Sequence, residues 1–287
     1  MPTLPRCVWQ WNRAEAKIGD NCTMNEHLSP APQDAPPLTG WRRFASPALC
    51  YRFAGHFIRP CTWLAIVLAL AGLYIGFFIA PTDAVQGEVY RIIFIHVATA
   101  WMSMFIYLIM AFWAVVGLVM KTRVSFMLMR ALAPTGAIFC FLALWTGALW
   151  GRPTWGSYWV WDARLTSQLL LMFLYLGFIA LTHSIEDVRR ADFAGAILAL
   201  VGALNVPVIY FSVKWWSTLH QGASVSLSKA PSMASTMLAA MLLVALAAWA
   251  YTIAVSMVRL RHIILARERR STWVRALIQP QAQEENA

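Results

Sequence analysis

Two kinds of side chain in this sequence could do chemistry together. The first is a set of indoles in WGRPTWGSYWVWDARLTSQ, Trp150 to Gln168, where Trp150, Trp155, Trp159 and Trp161 fall with Tyr158 inside twelve residues. Indole rings present broad, flat, apolar faces and lose little side-chain entropy when ordered, which suits them to gripping a large planar ligand. Gly151, Pro153 and Gly156 are expected to interrupt any helix there and let the rings sit at varied angles. The second is a pair of histidines, His96 in EVYRIIFIHVATAW and His220 in SVKWWSTLHQG. Neutral imidazole is a good ligand for iron and other transition metals.

What positions these residues is a membrane. Of the 287 residues, 60% are hydrophobic and 13% charged, and the mean hydropathy is +0.58. That composition indicates an integral membrane protein. Six apolar runs approach the ~20 residues that a bilayer-spanning helix needs. They are placed at Cys61–Ala80, Val97–Met120, Ala131–Trp150, Thr166–Thr182, Phe193–Val213 and Met233–Val258. An open sheet cannot satisfy its backbone in lipid, so the fold class is all-α, a bundle of six transmembrane helices with a Trp-rich loop between the third and fourth. Asn205 and Pro207 predict a kink in the fifth run. Residues 1–40, rich in Pro and polar side chains, read as a flexible cytoplasmic tail without a signal peptide. Residues 41–60 alternate Arg with aromatic and aliphatic side chains and read as an amphipathic interfacial segment. The six-span domain then covers 61–258, and 259–287 forms a basic cytoplasmic tail.

Orientation follows from the basic residues. Eighteen Lys and Arg fall on the side of the termini, and five, Arg91, Arg152, Arg164, Lys214 and Lys229, on the other. The positive-inside rule puts both termini in the cytoplasm and the Trp-rich loop outside it. The net charge of +10 is thereby a topology signal and does not point to nucleic acid. The five cysteines show neither CxxC nor CxxCH spacing and read as reduced and structural.

This topology sorts the histidines. His27, His56, His183 and His262 fall on the cytoplasmic side, and His96 and His220 on the side of the indoles. Either alone reads most simply as an interfacial polar side chain; together with the aromatic loop they fit a haem held by two axial histidines. A zinc site is less favoured, since the outer side has no cysteine and few carboxylates. An aromatic belt at the interface accounts for scattered indoles such as Trp63 and Trp249. It accounts poorly for six Trp, 150, 155, 159, 161, 215 and 216, crowded into two outer loops. If the second of those loops is helical, Trp216 and His220 share a face. Haem carries two propionates, so one or two of Arg91, Arg152, Arg164 and Lys214 are candidate partners for them, with snorkelling to headgroups the simpler alternative. Asp162 reads chiefly as the cap of the fourth helix, and stands among the candidate binding residues as part of the shelf.

At YRIIFIHV, WGRPTWGSYWVWDARLTS and SVKWWSTLHQG the sequence resembles the cytochrome c maturation protein C (CcmC) family of haem-handling membrane proteins, over roughly residues 50–275. The Trp-rich loop resembles the WWD domain of a wider haem-handling superfamily. WDAR followed by LTS is similar to the C protein, whereas the related haem lyases tend toward WDP followed by an acidic residue. The resemblance implies haem b bound at the periplasmic face of the bacterial inner membrane, with the WWD loop as platform and His96 and His220 as axial ligands. It implies delivery of haem to the periplasmic chaperone CcmE, in company with the small membrane protein CcmD and the ATP-driven pair CcmA and CcmB. It does not extend to residues 1–40.

Three rival readings stay open. A haem lyase would form thioether bonds on apocytochrome, but no large outer domain is present to hold a polypeptide acceptor. A transporter carrying haem through its own spans would need a polar path or an energy source, and neither a run of intramembrane charges nor an ATP-binding loop is evident. In the third, the loop of a structural subunit only docks a partner. The expectation is a haem-handling factor that is not itself an enzyme.

Overall fold

In lipid every backbone N–H and C=O must find a partner within the protein, and the apolar runs do so as long helices. The computed structural model describes residues 46–216, 218–220 and 231–284. The expected 1–40 tail lies outside the described residues. Among the described residues eight α-helices follow in order: α1 (Pro47–Tyr74), α2 (Ile93–Met120), α3 (Arg123–Trp155), α4 (Ala163–Ser184), α5 (Val188–Ala203), α6 (Asn205–Trp215), α7 (Ser235–Arg267) and α8 (Thr272–Glu284). A π-helical turn, Ile75–Ile79, prolongs α1, and a 3-10 turn, Glu88–Ile92, leads into α2. Six segments are long and apolar enough to cross a membrane: Pro47–Ile79, Glu88–Met120, Arg123–Trp155, Ala163–Ser184, Val188–Trp215 and Ser235–Arg267. Each of the six predicted runs falls on one of them. The protein is an all-helical, multi-pass membrane protein.

Three boundaries differ from the sequence expectation. From Pro47 onward the interfacial segment is the beginning of α1, with Pro60 inside the helix rather than ending it. At the other terminus α7 runs on to Arg267 and α8 follows, so the basic tail is largely helical. Gly151 and Pro153 do not break α3, which carries both residues in its last two turns. The helix ends at Gly156, whose φ of +79° is the left-handed conformation a glycine adopts without strain.

The kink in the fifth span falls at Leu204, which separates α5 from α6 while its own backbone stays in the right-handed helical region. Asn205 anchors it by donating from Nδ2 to the Ser167 carbonyl of α4 at 2.8 Å. Asp162 and Asp187 cap α4 and α5, accepting from Leu165 N at 2.7 Å and Arg190 N at 2.9 Å. That backbone bond, aided by the neighbouring Arg189 and Arg190, holds the Asp187 carboxyl below its usual range.

The core lies between α2, α3, α4, α5 and α6. Tyr107 and Tyr175 meet edge to face there, 4.9 Å between centroids. Both rings rest on glycine: a Cβ at Gly136 would come within 2.2 Å of Tyr175, and one at Gly202 within 2.1 Å of the Tyr107 hydroxyl. Small residues at helix interfaces are the usual means of close packing in membranes. At the end of the bundle where α7 finishes, Asp192 of α5 accepts from Arg267 at 2.7 and 2.8 Å and from Arg130 at 3.1 Å. This buried ion cluster joins α3, α5 and α7, and its charges lie further inside the bundle than the apolar runs suggested.

Candidate functional site

The Trp-rich stretch does not form one continuous loop. Trp150 and Trp155 ride on the last turns of α3, and only residues 156–162 are irregular before α4 begins. Thr154 Oγ1 donates to the Trp150 carbonyl at 2.7 Å and Gly156 N to Arg152 O at 3.0 Å, which closes the helix end. Ser157 Oγ then donates to the Trp159 carbonyl at 2.8 Å and turns the chain toward the Asp162 cap.

Ile93–Met120 brings His96 to the same end of the bundle, on the first turn of α2. Its ring lies 5.6 Å from that of Trp150, edge to face. His96 Nδ1 is 3.0 Å from Thr146 Oγ1 of α3. Gly147, the next residue, leaves room for the ring: a Cβ there would come within 3.0 Å of His96 Cε1. His220 reaches the site after α6 has ended, and its ring lies 6.4 Å from Trp155. The two imidazole centroids are 6.5 Å apart, with their planes inclined by 35°.

Between and beneath them is an open cleft. Trp150, Trp155, Trp159, Arg164 and the two histidines form its upper wall. Its lower part, set deeper along the helices, is lined by Ala100, Met104, Ala143, Leu144 and Ile209. A mostly apolar cleft with a few converging polar groups has the character of a ligand site. Two rings on a single iron, each nitrogen about 2 Å from the metal, would have centres about 6 Å apart. The His96–His220 separation suits that arrangement, and the indoles offer flat faces beside it.

Not every residue singled out in the sequence reaches the cleft. Arg91 is turned to the protein: its guanidinium binds Glu88 and donates to the carbonyls of Gly76 at 2.6 Å and Ala80 at 3.0 Å. Arg152 donates to the Gly156 carbonyl and lies 5.6 Å over the Tyr158 ring. Lys214 lies 5.7 Å from the Phe211 ring. Arg164 lines the cleft, and no hydrogen bond or ion pair holds its guanidinium among the described residues. Asp162 is the cap, with its second oxygen, Oδ2, buried and unpartnered. Trp161 is 75% exposed and meets Trp159 edge to face at 5.4 Å.

Trp215 and Trp216 also lie away from the cleft. The expectation that Trp216 and His220 share a helical face is corrected, because α6 ends at Trp215 and Trp216 is extended, with φ −131° and ψ 155°. Trp215 stacks on Phe211 at 5.2 Å, and Trp216 borders an apolar groove between α4 and α6.

Three site residues escaped the sequence reading. Gln86, on the short turn organised by Asp83, accepts from the Trp150 indole N–H at 2.7 Å. Thr146 meets His96, and Gln168 closes the deep end of the cleft, donating to Ser103 Oγ at 2.9 Å and Cys140 Sγ at 3.2 Å. Each is a common polar residue; Gln86 and Thr146 lie outside the Trp-rich stretch, and Gln168 ends it without standing out by type. Spacing along α3 alone could have flagged Thr146, one turn before Trp150.

A six-span membrane protein with an aromatic cleft and paired imidazoles at one end is the class that the fold and site define. The sequence of the CcmC family, haem exporter protein C, matches residues 40–275. Haem exporter protein C of Escherichia coli is 45% identical over 240 residues, 82% of this chain and 95% of that protein. Its counterpart from Bradyrhizobium diazoefficiens is 44% identical over 223 residues, 77% and 84% of the two chains. A putative cytochrome c biosynthesis ccmC-like mitochondrial protein of Marchantia polymorpha is 43% identical over 176 residues, 61% and 73% of the two. The chain belongs to the haem exporter protein C family. With that membership goes a haem-handling role in cytochrome c biogenesis.

Proposed function

We propose that this protein holds haem b at the periplasmic face of the inner membrane, between His96 and His220, and delivers it to the haem chaperone CcmE. The observation that carries this reading is the 6.5 Å separation of two imidazole centres beside Trp150 and Trp155. Indole faces at the cleft wall exclude water from the tetrapyrrole, and two histidine ligands leave the iron no open position for dioxygen. Arg164 faces a propionate, since it is the cleft-lining guanidinium and charge-assisted pairing with a carboxylate is its natural use. Arg91 instead pins the outer turn to the end of the first span.

Both termini lie in the cytoplasm, in keeping with the eighteen basic residues assigned to that side against five. CcmD and the CcmA–CcmB pair complete the assembly, and this chain passes haem on without catalysing a reaction itself. Support for these partners is the family alone.

An absorption spectrum of the purified membrane protein tests the reading. The full chain is expected to carry a low-spin haem spectrum, and His96→Ala and His220→Ala each to lose haem or change that spectrum. An unaltered bis-histidine spectrum in the double variant would discard the ligand assignment. Co-purification separates the rival lyase: capture of apocytochrome rather than CcmE would favour it.

A further inference from the structure

We infer that Thr146 is a positioning residue that fixes the tautomer of His96, keeping its proton on Nδ1 and its lone pair on Nε2. The inference rests on the reading of His96 as an iron ligand, and deepens it.

The argument is a count of protons. Thr146 Oγ1 lies 2.6 Å from the Leu142 carbonyl and 3.3 Å from that of Ala143, within its own helix. A carbonyl only accepts, so the single hydroxyl proton of Thr146 is directed at the backbone. What Oγ1 has left for His96 Nδ1, 3.0 Å away, is a lone pair. Two lone pairs cannot share a hydrogen bond, so Nδ1 must bring the proton. Neutral imidazole carries one N–H, and the other nitrogen, Nε2, is then the acceptor that a metal requires.

The surroundings favour this lock. Thr146 is buried, at 6% exposure, so water does not compete for its oxygen. As a β-branched residue bonded back to its helix it has little χ1 freedom. The adjoining Gly147 lets the imidazole lie against α3 at van der Waals distance. The α3 turn thus sets both where the ring lies and which of its nitrogens carries the proton. A partner to the non-ligating nitrogen is how metal-bound histidines are generally oriented, and its loss typically costs about 10–100-fold in affinity.

Thr146→Val keeps the shape and removes the oxygen, whereas Thr146→Ser keeps the oxygen. With the full chain in detergent and its histidines ¹⁵N-labelled, His96 is assigned by the resonance lost in His96→Gln, and its tautomer is read without haem. The wild type and Thr146→Ser are expected to show the Nδ1–H form, and Thr146→Val to lose it. Titration with haem b should then show roughly tenfold or weaker binding in Thr146→Val, with Thr146→Ser close to wild type. An Nε2–H tautomer in the wild type, or an unchanged tautomer in Thr146→Val, overturns the inference. So does a tautomer that responds while haem affinity stays the same, in a background where His96→Ala abolishes binding. Unchanged haem binding in His96→Ala would instead overturn the ligand reading, and the tautomer measurement would show separately whether the Thr146 lock stands.

Discussion

Trp150 donates its indole N–H to the Gln86 side chain at 2.7 Å, tying the end of the third span to the turn before the second. The contact spans 64 positions of sequence and orients the ring that stands edge-on to both Tyr90 and His96. Replacing Gln86 by Leu removes the acceptor and leaves a half-buried donor unpaired, at a cost of about 1–3 kcal/mol. Haem occupancy after purification is expected to fall while the shape of the spectrum, set by the axial ligands, stays as it is. A Gln86→Leu protein with full occupancy would remove Gln86 from the site.

Arg164 and Arg91 should fail differently. Arg164→Gln is expected to weaken haem binding with little change in thermal stability, because its guanidinium makes no hydrogen bond or ion pair among the described residues. Arg91→Gln is expected to lower the melting temperature, since it gives up bonds to Gly76, Ala80 and Glu88. Haem titration and a melting curve on each variant separate the two roles. The reverse pattern would exchange them.

Asp192 compensates Arg130 and Arg267 at a site where its own exposure is 7%. Asp192→Ala leaves two guanidinium groups confined without a counter-charge, and breaking such a pair costs about 3–5 kcal/mol. A marked drop in melting temperature is expected. Asp192→Ala with Arg130→Met and Arg267→Met should recover part of it, because no uncompensated charge then remains at the cluster. Equal stability of Asp192→Ala and the wild type would show that the cluster contributes nothing to holding α3, α5 and α7 together.

Three glycines give a graded test of packing. Alanine at Gly136 would drive its Cβ into the Tyr175 ring and at Gly202 into the Tyr107 hydroxyl. Overpacking of this kind costs about 1–3 kcal/mol. Gly177 has nothing nearer than Leu198 at 3.9 Å, so Gly177→Ala should leave the melting temperature unchanged or slightly raised. Similar losses at all three would mean that backbone freedom, not space, is what these positions need.

The six spans were legible because hydropathy is summed over some twenty residues and survives local error. The kink beside Asn205 and Pro207 and the cap at Asp162 were legible for a different reason, since each residue type has a strong local preference. Helix ends were less so: α1 and α7 continue through Arg-bearing turns that the apolar runs excluded, as long basic side chains there find partners such as Asp192 for Arg267 and Tyr51 for Arg261. At the site, His96 and His220 could be paired from topology alone. The fates of Arg91, Trp215 and Trp216 could not, because they depend on where a turn leaves its helix. Gln86 and Thr146 are long-range partners; nothing around Gln86 marks it, and only its place one turn before Trp150 marks Thr146.

The first span packs chiefly against the last long one, through small residues such as Gly72, whose added Cβ would meet Val244 at 2.8 Å. During synthesis α1 leaves the ribosome ahead of the other described helices, and its partner α7 only after α2 to α6. It must therefore wait in the bilayer, without its eventual neighbour, until the 160 residues between α1 and α7 have followed. Closure of the bundle is then a late event in biogenesis, and truncation before α7 would leave the opening helix stranded however well the intervening helices assemble.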